Sequence, residues 1–315
     1  MERNFDVLVA GELNVDLILD RLQKFPEMGK EVIAQGMTLT LGSSSAIFAS
    51  NLSVLGSSVT FAGTLARDSF GELILSSLRA RGVDTRNIVF TETCGTGASI
   101  ALNVGEDRAM VTFPGTMALF SLGDIPQQLF GECRHLHVSS IFLSTALKKD
   151  VNALFRRAKE SGMTTSLDPQ WDPEEKWDVD FQSLLRDVDV FLPNESEICA
   201  IAQTDDAHDA ADQLRRYANV LVVKHGRNGA SLWHGDLHIY QPAFLNDKVV
   251  DSIGAGDSFD AGFIHKYIQG KDLAECLEFA AVTGAVNTTR AGGTTAFDSL
   301  EGVRSIARSV FNFDL

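Results

Sequence analysis

Short apolar runs alternate along the chain with segments in which apolar residues recur at helical spacing. The segment "SSSAIFASNLSVLG" places Ile47, Leu52 and Leu55 at such spacing and stops at Gly56, which predicts a helix with a glycine C-cap. The strand-like run "SVTFAG" follows, and "DSFGELILSSLRARG" has early acids and late arginines that suit the dipole of a second helix. The chain therefore opens with alternating strands and helices.

The same alternation continues in the second half of the chain. The runs "HLHVSSIFL", "TTSLDP", "VDVFLPN" and "NVLVVKHG" are short and rich in β-formers, and helical spacing appears in "KKDVNALFRRAKESG" and "DAADQLRRYA". Strands that alternate with helices form right-handed βαβ crossovers, so the pattern predicts an α/β fold with a mostly parallel central sheet.

Two segments, at about residues 12–40 and 95–115, interrupt this alternation with β-pattern. The second predicts a hairpin that turns at "GED". Such segments are typical of a small β-lid over a ligand, and their exposed strand edges would allow a homodimer. The alternative, that they are plain surface loops, is weaker because both segments carry β-pattern. No repeat or flexible linker divides the chain, so we expect one domain over residues 1–315 with these segments as its lid.

Composition and charge limit the classes of partner that the protein is expected to bind. The net charge of −15 would repel nucleic acid, and no apolar run approaches the length of about 20 residues that a membrane-spanning helix needs. The charged N-terminus lacks the long apolar stretch of a secretory signal, so we expect a soluble cytoplasmic protein. The four cysteines form no CxxC pair, and His135 with His137 is more typical of a structural pair on a strand than of a metal site.

A glycine-rich turn carries the clearest chemistry. In "VVDSIGAGDSFDAGF", the residues Gly254, Ala255 and Gly256 precede a segment with helical spacing, so their backbone N–H groups would form an anion nest at a helix N-terminus. Neither GxxxxGK[ST] nor GxGxxG after the first strand is present. Asp257 follows the nest directly, where a phosphate alone would be repelled.

This turn resembles the signature D-[ST]-x-G-A-G-D of the ribokinase-like, or PfkB-type, carbohydrate kinases, and the resemblance extends over essentially the whole chain. It implies a three-layer α/β/α fold with a β-lid. Four further stretches are similar to family motifs. "VAGELNVDLI" resembles the substrate strand, with Asn14 and Asp16, and "PNESE" resembles the N-x-x-E motif, with Asn194 and Glu197. "VVKHGRNGA" resembles the nucleotide turn, with Lys224, Gly226 and Gly229, and "AAVTGAVNTTRAGG" resembles the late helix, with Asn287 near the adenine.

The resemblance also implies roles. Asp257 would be the catalytic base for the acceptor hydroxyl, and the nest would hold the phosphate of ATP. Mg²⁺ would be bound through the phosphates and through water near Glu197, and the family often binds K⁺ beside the loop with Asp251 and Ile253. We therefore expect an ATP-dependent, Mg²⁺-requiring kinase that phosphorylates a primary hydroxyl of a small carbohydrate such as fructose or 2-keto-3-deoxygluconate.

One departure from the family pattern affects the acceptor. Where relatives commonly have Gly-Gly and then Asn, this chain has Gly42, Ser43 and Ile47. The hydroxyls of Ser43 and Ser44 would still bind sugar oxygens, but ribose becomes a less favoured substrate. Arg108, with Lys24 and Lys30, would reach an acid or phosphate on the substrate unless these cations are simply solvated. A sugar acid, a ketohexose or a nucleoside remains open, as does a non-catalytic sugar or nucleotide sensor.

Overall fold

The computed structural model describes residues 3–105 and 107–315, so Met1, Glu2 and Glu106 of the predicted "GED" turn lie outside the described residues. The strands are β1 (Phe5–Ala10), β2 (Asn14–Asp20), β3 (Gly36–Leu41), β4 (Val59–Ala66), β5 (Asp84–Thr91), β6 (Gly97–Val104), β7 (Asp107–Phe113), β8 (Cys133–Ser139), β9 (Thr164–Asp168), β10 (Val190–Phe191), β11 (Val220–Lys224), β12 (Ala230–His234) and β13 (Leu237–Gln241). The α-helices are α1 (Ser44–Val54), α2 (Ser69–Ala80), α3 (Leu129–Glu132), α4 (Thr145–Lys149), α5 (Val151–Glu160), α6 (Phe181–Leu184), α7 (Glu195–Ala202), α8 (Ala207–Leu214), α9 (Ala255–Tyr267), α10 (Leu273–Asn287) and α11 (Leu300–Phe311).

Nine strands form the main sheet, in the order β13-β12-β11-β10-β9-β8-β1-β4-β5. Every neighbouring pair from β11 to β5 is parallel, and the last two strands, β12 and β13, continue the sheet antiparallel. The predicted α/β fold with a mostly parallel sheet is confirmed. Because parallel strands end at one edge, residues after β1, β9, β10 and β11 meet there.

Separate apolar clusters cover the two faces of the main sheet. Val7, Val9 and Phe61 belong to the first cluster, which helices α1, α9 and α10 complete, and Leu8 and Leu136 belong to the second, with α5. Both faces of the parallel strands are therefore buried, which explains why β4 is buried at all eight positions. The sheet with helices packed on both of its faces is a three-layer α/β/α arrangement.

The two β-patterned excursions join in a second sheet of four strands, in the order β3-β2-β6-β7. Strands β6 and β7 are an antiparallel pair, as the hairpin prediction required, and β2 pairs parallel to β6. Gly105 begins the connection with a φ of 61°, a left-handed conformation that glycine adopts without strain. We call this four-stranded sheet the lid.

His135 and His137 are structural, as their spacing on one strand predicted. Both rings are buried and hydrogen-bond to the hydroxyl of Ser166, at 2.7 and 2.8 Å. Burial lowers the pKa of His135 to about 3 and that of His137 well below its usual value, so both stay neutral. Among the described residues, no helix is long and apolar enough to cross a bilayer.

Candidate active site

Helix α9 begins in a turn that leaves backbone amides available. Gly254 is its N-cap with a φ of 74°, and a β-carbon there would collide with Gly293. The amide of Ala255, expected in the nest, donates instead to the carbonyl of Ser252 at 3.2 Å. Within the described part of the chain, the amides of Gly254, Gly256 and Asp257 have no acceptor. The three amides without an acceptor are therefore a different set from the three predicted for the anion nest.

Asp257 lies in the first turn of α9 and is only 7% exposed. Burial raises the pKa of its carboxyl to about 7, and the negative charge of Asp168 raises it further, against the opposing effects of Lys224 and a hydrogen bond from Ser44. The dipole of α9 favours the ionised form of an acid at this position. Desolvation outweighs the dipole, so the carboxyl takes up and releases a proton near neutral pH.

Lys224, expected to bind ATP, is committed to two carboxylates. Its ammonium group donates to Asp168 at 2.9 Å and to Asp260 at 3.0 Å, and both acids are buried. Burial alone would lower the pKa of Lys224, but the charges of Asp168 and Asp260 raise it, so the lysine stays charged. Asp260, one turn after Asp257, thus has a structural partner.

Gln170 connects this ion pair to Asp257. Its side-chain amide donates to Asp168 at 2.7 Å and to Oδ1 of Asp257 at 3.2 Å. The backbone of Gln170 has a φ of 56°, which is unusual for a residue with a side chain and places it close to both acids. We did not expect a role for Gln170 or Asp168 from the sequence, where only the position of Asp168 at the end of a strand was a signal.

Asn194 and Glu197 form a capping box at the start of α7. The backbone amide of Asn194 donates to Glu197 at 2.8 Å, its side-chain amide does so at 2.6 Å, and the amide of Glu197 donates back at 2.9 Å. Glu197 is buried, and burial together with the charge of Asp168 raises its pKa. The N-x-x-E spacing thus has a structural role, because it caps the start of α7.

The carboxylates of Glu197, Asp168 and Asp257 fit a hard cation that keeps part of its water shell. The pKa of Glu197 is raised by the neighbouring charges of Asp168 and Asp257, an excess of negative charge that Lys224 only partly offsets. Oxygen donors of this kind suit Mg²⁺. No cluster of three His, Cys, Asp or Glu residues within residues 3–105 and 107–315 is arranged to hold a metal directly.

A cavity of about 600 Å³ opens beside the anion nest. Of the residues expected at the nucleotide, Lys224, Gly226, Gly229 and Gly256 line it. Helix α10 contributes a face of small residues at spacings of three and four, Ala281, Gly284, Ala285 and Thr288, which we did not single out in the sequence although the spacing was readable. Small side chains leave room for a flat ring against the helix.

Two expected nucleotide residues have other contacts. Asn287 is fully buried, does not line the cavity, and donates to the carbonyl of Ile253 at 2.6 Å. It therefore supports the turn before Gly254, and its place near the adenine stays a prediction. Gly229 has a φ of 99°, and a β-carbon there would collide with the carbonyl of Gln241, so glycine is required for the turn itself.

On the lid side, Asn14 and Asp16 lie together on β2. The side-chain amide of Asn14 donates to Asp16 at 3.0 Å and to Ser99 at 3.2 Å. Burial raises the pKa of Asp16 to about 6. A β-carbon at Gly42 would collide with the Asp16 carboxylate, so the glycine is needed for close approach at this point.

We had expected the Ser43 hydroxyl to bind a sugar, but its hydrogen bonds lie within the fold. It caps α1 by accepting from the amide of Ala46 at 3.0 Å, and its hydroxyl donates to the backbone of Glu12 at 2.7 Å. Its φ of 68° lies in the left-handed region, which residues with a β-carbon seldom adopt. Glu12, which we did not single out, is buried beneath this turn, and burial raises its pKa to about 8.

Ile47 is also buried and packs behind the nest. Its side chain fills the space that a β-carbon on Gly293 would need, and it contacts the position of a β-carbon on Gly254 at 3.2 Å. The apolar residue therefore supports the glycine turn from behind, whereas we had expected it to replace a polar contact in the substrate pocket.

Arg108 of the lid reaches the loop that precedes the nest. Its guanidinium donates to Asp251 at 3.0 Å, and Asp251 also accepts from the amides of Ile253 at 3.0 Å and Gly292 at 2.9 Å. The carboxylate proposed for a monovalent cation thus already has a cationic partner. Lys24 and Lys30 both pair with Glu27 on the surface.

A mostly parallel sheet with helices on both faces, together with a small second sheet, is the fold of the ribokinase-like class of α/β proteins. The profile described as "pfkB family carbohydrate kinase" matches residues 4–300, and the chain belongs to that family. It is therefore an ATP-dependent phosphotransferase with an alcohol group as acceptor.

Individual relatives are more distant. The chain is 29% identical to the "ATP-dependent ribose-1-phosphate kinase" of Halopiger xanaduensis, over 92% of this chain and 94% of the relative. It is 26% identical to the "Probable fructokinase-7" of Arabidopsis thaliana, over 96% and 92%. A putative ribokinase II from E. coli, solved with ATP and Mg²⁺, superposes with a TM-score of 0.83 at 22% identity, covering 96% of this chain and 99% of that one.

Proposed function

We propose that this kinase transfers the γ-phosphate of ATP to a primary hydroxyl of a small carbohydrate, with fructose and 2-keto-3-deoxygluconate as representative acceptors. The observation that carries the proposal is the adjacency of Asp257 to the acceptor-free amides of Gly254 and Gly256 at the start of α9. Phosphoryl transfer needs anion stabilisation on one side of the transferred group and an activated hydroxyl on the other.

In this proposal Asp257 is the catalytic base. Its carboxylate accepts the proton of the acceptor hydroxyl through the oxygen that Gln170 does not occupy, while the free amides hold the transferred phosphate in line. Because the pKa of Asp257 is about 7, the group is able to receive a proton and to release it afterwards near neutral pH. Closure of the lid excludes water and limits hydrolysis of ATP.

Mg²⁺ supplies charge neutralisation of the ATP phosphates when it is bound. Glu197 and Asn194 would hold it through water, next to the buried charge of Asp168. K⁺ beside Asp251 and Ile253 stays a proposal of lower priority, since Arg108 already pairs with that carboxylate. The adenine would lie against the small residues of α10, and Gly226 and Gly229 would shape the turn at its side.

Asp16 and Asn14 would bind the sugar hydroxyls, and Arg108 is the residue that discriminates between neutral and acidic acceptors. Burial raises the pKa of Asp16, and the charge of Arg108 offsets part of that rise. An acid or phosphate on the acceptor would compete with Asp251 for Arg108. The Halopiger relative, named for ribose-1-phosphate, makes a phosphorylated sugar worth including among the acceptors.

The experiment is an ATP-turnover panel on one protein preparation. Fructose, 2-keto-3-deoxygluconate and ribose-1-phosphate test the carbohydrate proposal, and adenosine, inosine and guanosine test the alternative of a nucleoside kinase. Turnover with a sugar supports the proposal, and turnover only with nucleosides would replace it. Binding of ATP and sugar without turnover would indicate a non-catalytic sensor.

We also propose a homodimer formed through the lid. Leu39, Leu17, Ile100 and Val111 are direct neighbours across its four strands and so share one face, and Val111 is 61% exposed. An apolar row of this kind is typical of an interface. Sedimentation should give a dimer for the parent protein and a monomer for Val111→Glu, and a monomeric parent would contradict the proposal.

A further inference from the structure

A second cavity, of about 510 Å³, lies between the lid strand β3 and helices α1 and α2, and it shares no lining residue with the nucleotide cavity. Arg81, the residue that follows α2, and Ser50 of α1 are among its lining residues. The active site described above uses neither residue.

Arg81 is partly buried without a carboxylate partner. In the part of the chain that the structure describes, no acidic group lies within 4.0 Å of its guanidinium, whose one hydrogen bond is a long one of 3.4 Å to the carbonyl of Thr294. Other arginines of this acidic chain, such as Arg86 and Arg108, are paired with aspartates. Burial lowers the pKa of Arg81, and the negative charge of Asp298, which lies beyond 4.0 Å, opposes part of this effect.

Ser50 gives independent support. It is completely buried, and its hydroxyl has no hydrogen-bond partner among the described residues. A buried hydroxyl without a partner is uncommon and points to a missing group. Arg81 and Ser50 thus line the same cavity.

The rest of the lining indicates what else the occupant contains. Leu39, Leu41 and Leu73 give the cavity apolar walls, and its volume exceeds what a bare anion fills. The chain carries a net charge of −15, so adventitious anions are disfavoured and an anion would need specific donors. An arginine fork with a hydroxyl suits the oxygens of a phosphate group.

We propose that this cavity binds a small phosphate ester, whose phosphate is held by the Arg81 guanidinium and the Ser50 hydroxyl and whose organic part lies against the leucines. The ligand class follows from the donors and the apolar walls together. The site is separate from the nest at α9, so its occupation does not depend on the identity of the sugar acceptor.

The test is equilibrium binding of radiolabelled orthophosphate to the full chain saturated with Mg²⁺ and a non-hydrolysable ATP analogue, which blocks the nest. We expect one phosphate per parent chain, and at least about tenfold weaker binding by Arg81→Met because a charge-assisted contact is lost. Arg79→Met is the matched control, since Arg79 lies on α2, is exposed, and does not line the cavity. Its binding should equal that of the parent.

Glycerol 3-phosphate should displace the labelled phosphate, whereas glycerol should not. Failure of glycerol 3-phosphate to compete would contradict the ester and leave an adventitious ion only. A parent chain that binds no phosphate under these conditions, or an Arg81→Met variant that binds like the parent, would overturn the site. If Arg81→Met does not fold, Arg81→Lys decides, because it keeps the charge but loses the planar fork and should also bind more weakly.

Discussion

The side-chain amide of Gln170 lies 3.2 Å from Oδ1 of Asp257, and the same amide lies 2.7 Å from Asp168. Oδ1 of the proposed base is thereby fixed by Gln170, and Ser44 also donates a hydrogen bond to this carboxyl. The contact depends on a left-handed backbone at Gln170, so the chain accepts local strain at the point where the carboxyl must be oriented.

Replacing Gln170 by alanine should therefore lower kcat by about fivefold to tenfold, the effect of one hydrogen bond, with little change in the KM for ATP. Gln203→Ala is the matched control, because Gln203 has nearly the same φ, 55°, at the end of α7 and is not in the site. Steady-state kinetics on both variants measure this. Equal kcat in Gln170→Ala and the parent would remove Gln170 from the mechanism.

The rate should also depend on pH through Asp257. A base works only when deprotonated, so kcat/KM should rise as the pH increases through about 7, the pKa of this carboxyl. The negative charge of Asp168 is one cause of that raised pKa, so Asp168→Asn should move the rise to lower pH. Removal of Lys224 or of the Ser44 hydroxyl would act in the opposite direction. An acid limb that stays in place in Asp168→Asn would contradict this electrostatic coupling.

Glu12 gives a prediction about stability. Its pKa of about 8 in the fold exceeds the ordinary value of 4.5, so the folded protein keeps a proton that the unfolded chain loses. The contribution of Glu12 to the free energy of unfolding should therefore fall as the pH rises from 4.5 to 8. Glu12→Gln should reduce this dependence, measured by urea unfolding across the window. Glu72→Gln, at an exposed position of α2, should leave it unchanged.

Glu197→Gln tests the proposed Mg²⁺ role. The amide keeps an oxygen for the capping box, so the fold should persist, but loss of the charge should raise the Mg²⁺ concentration needed for half-maximal rate. Glu195→Gln is the control, because Glu195 is exposed in the same helical turn. If both variants keep the parent's Mg²⁺ dependence, Glu197 is only a helix cap.

The sequence allowed the layered fold to be predicted because periodicity is local, and the glycine turn to be found because its spacing is fixed by backbone geometry. Gln170, Asp168 and Glu12 were missed because they act through contacts with residues that are distant in sequence. The free amides were misassigned at Ala255 since the bond to Ser252 depends on the exact turn. The hydrogen bond of Asn287 to Ile253 was not predicted, because a family motif gives a position on a helix but not which way the side chain points.

The central claim is that Asp257 is the catalytic base, and the kcat of Asp257→Asn tests it most directly. Asparagine keeps the size of this buried group and removes its charge, so the variant should be at least as stable as the parent, while kcat falls by about 10² to 10⁴-fold. Asp260→Asn separates rate from stability, because Asp260 pairs with Lys224 and its loss should destabilise the fold but leave much more activity per folded molecule. A folded Asp257→Asn protein that turns over ATP and sugar at nearly the parent rate would contradict the account.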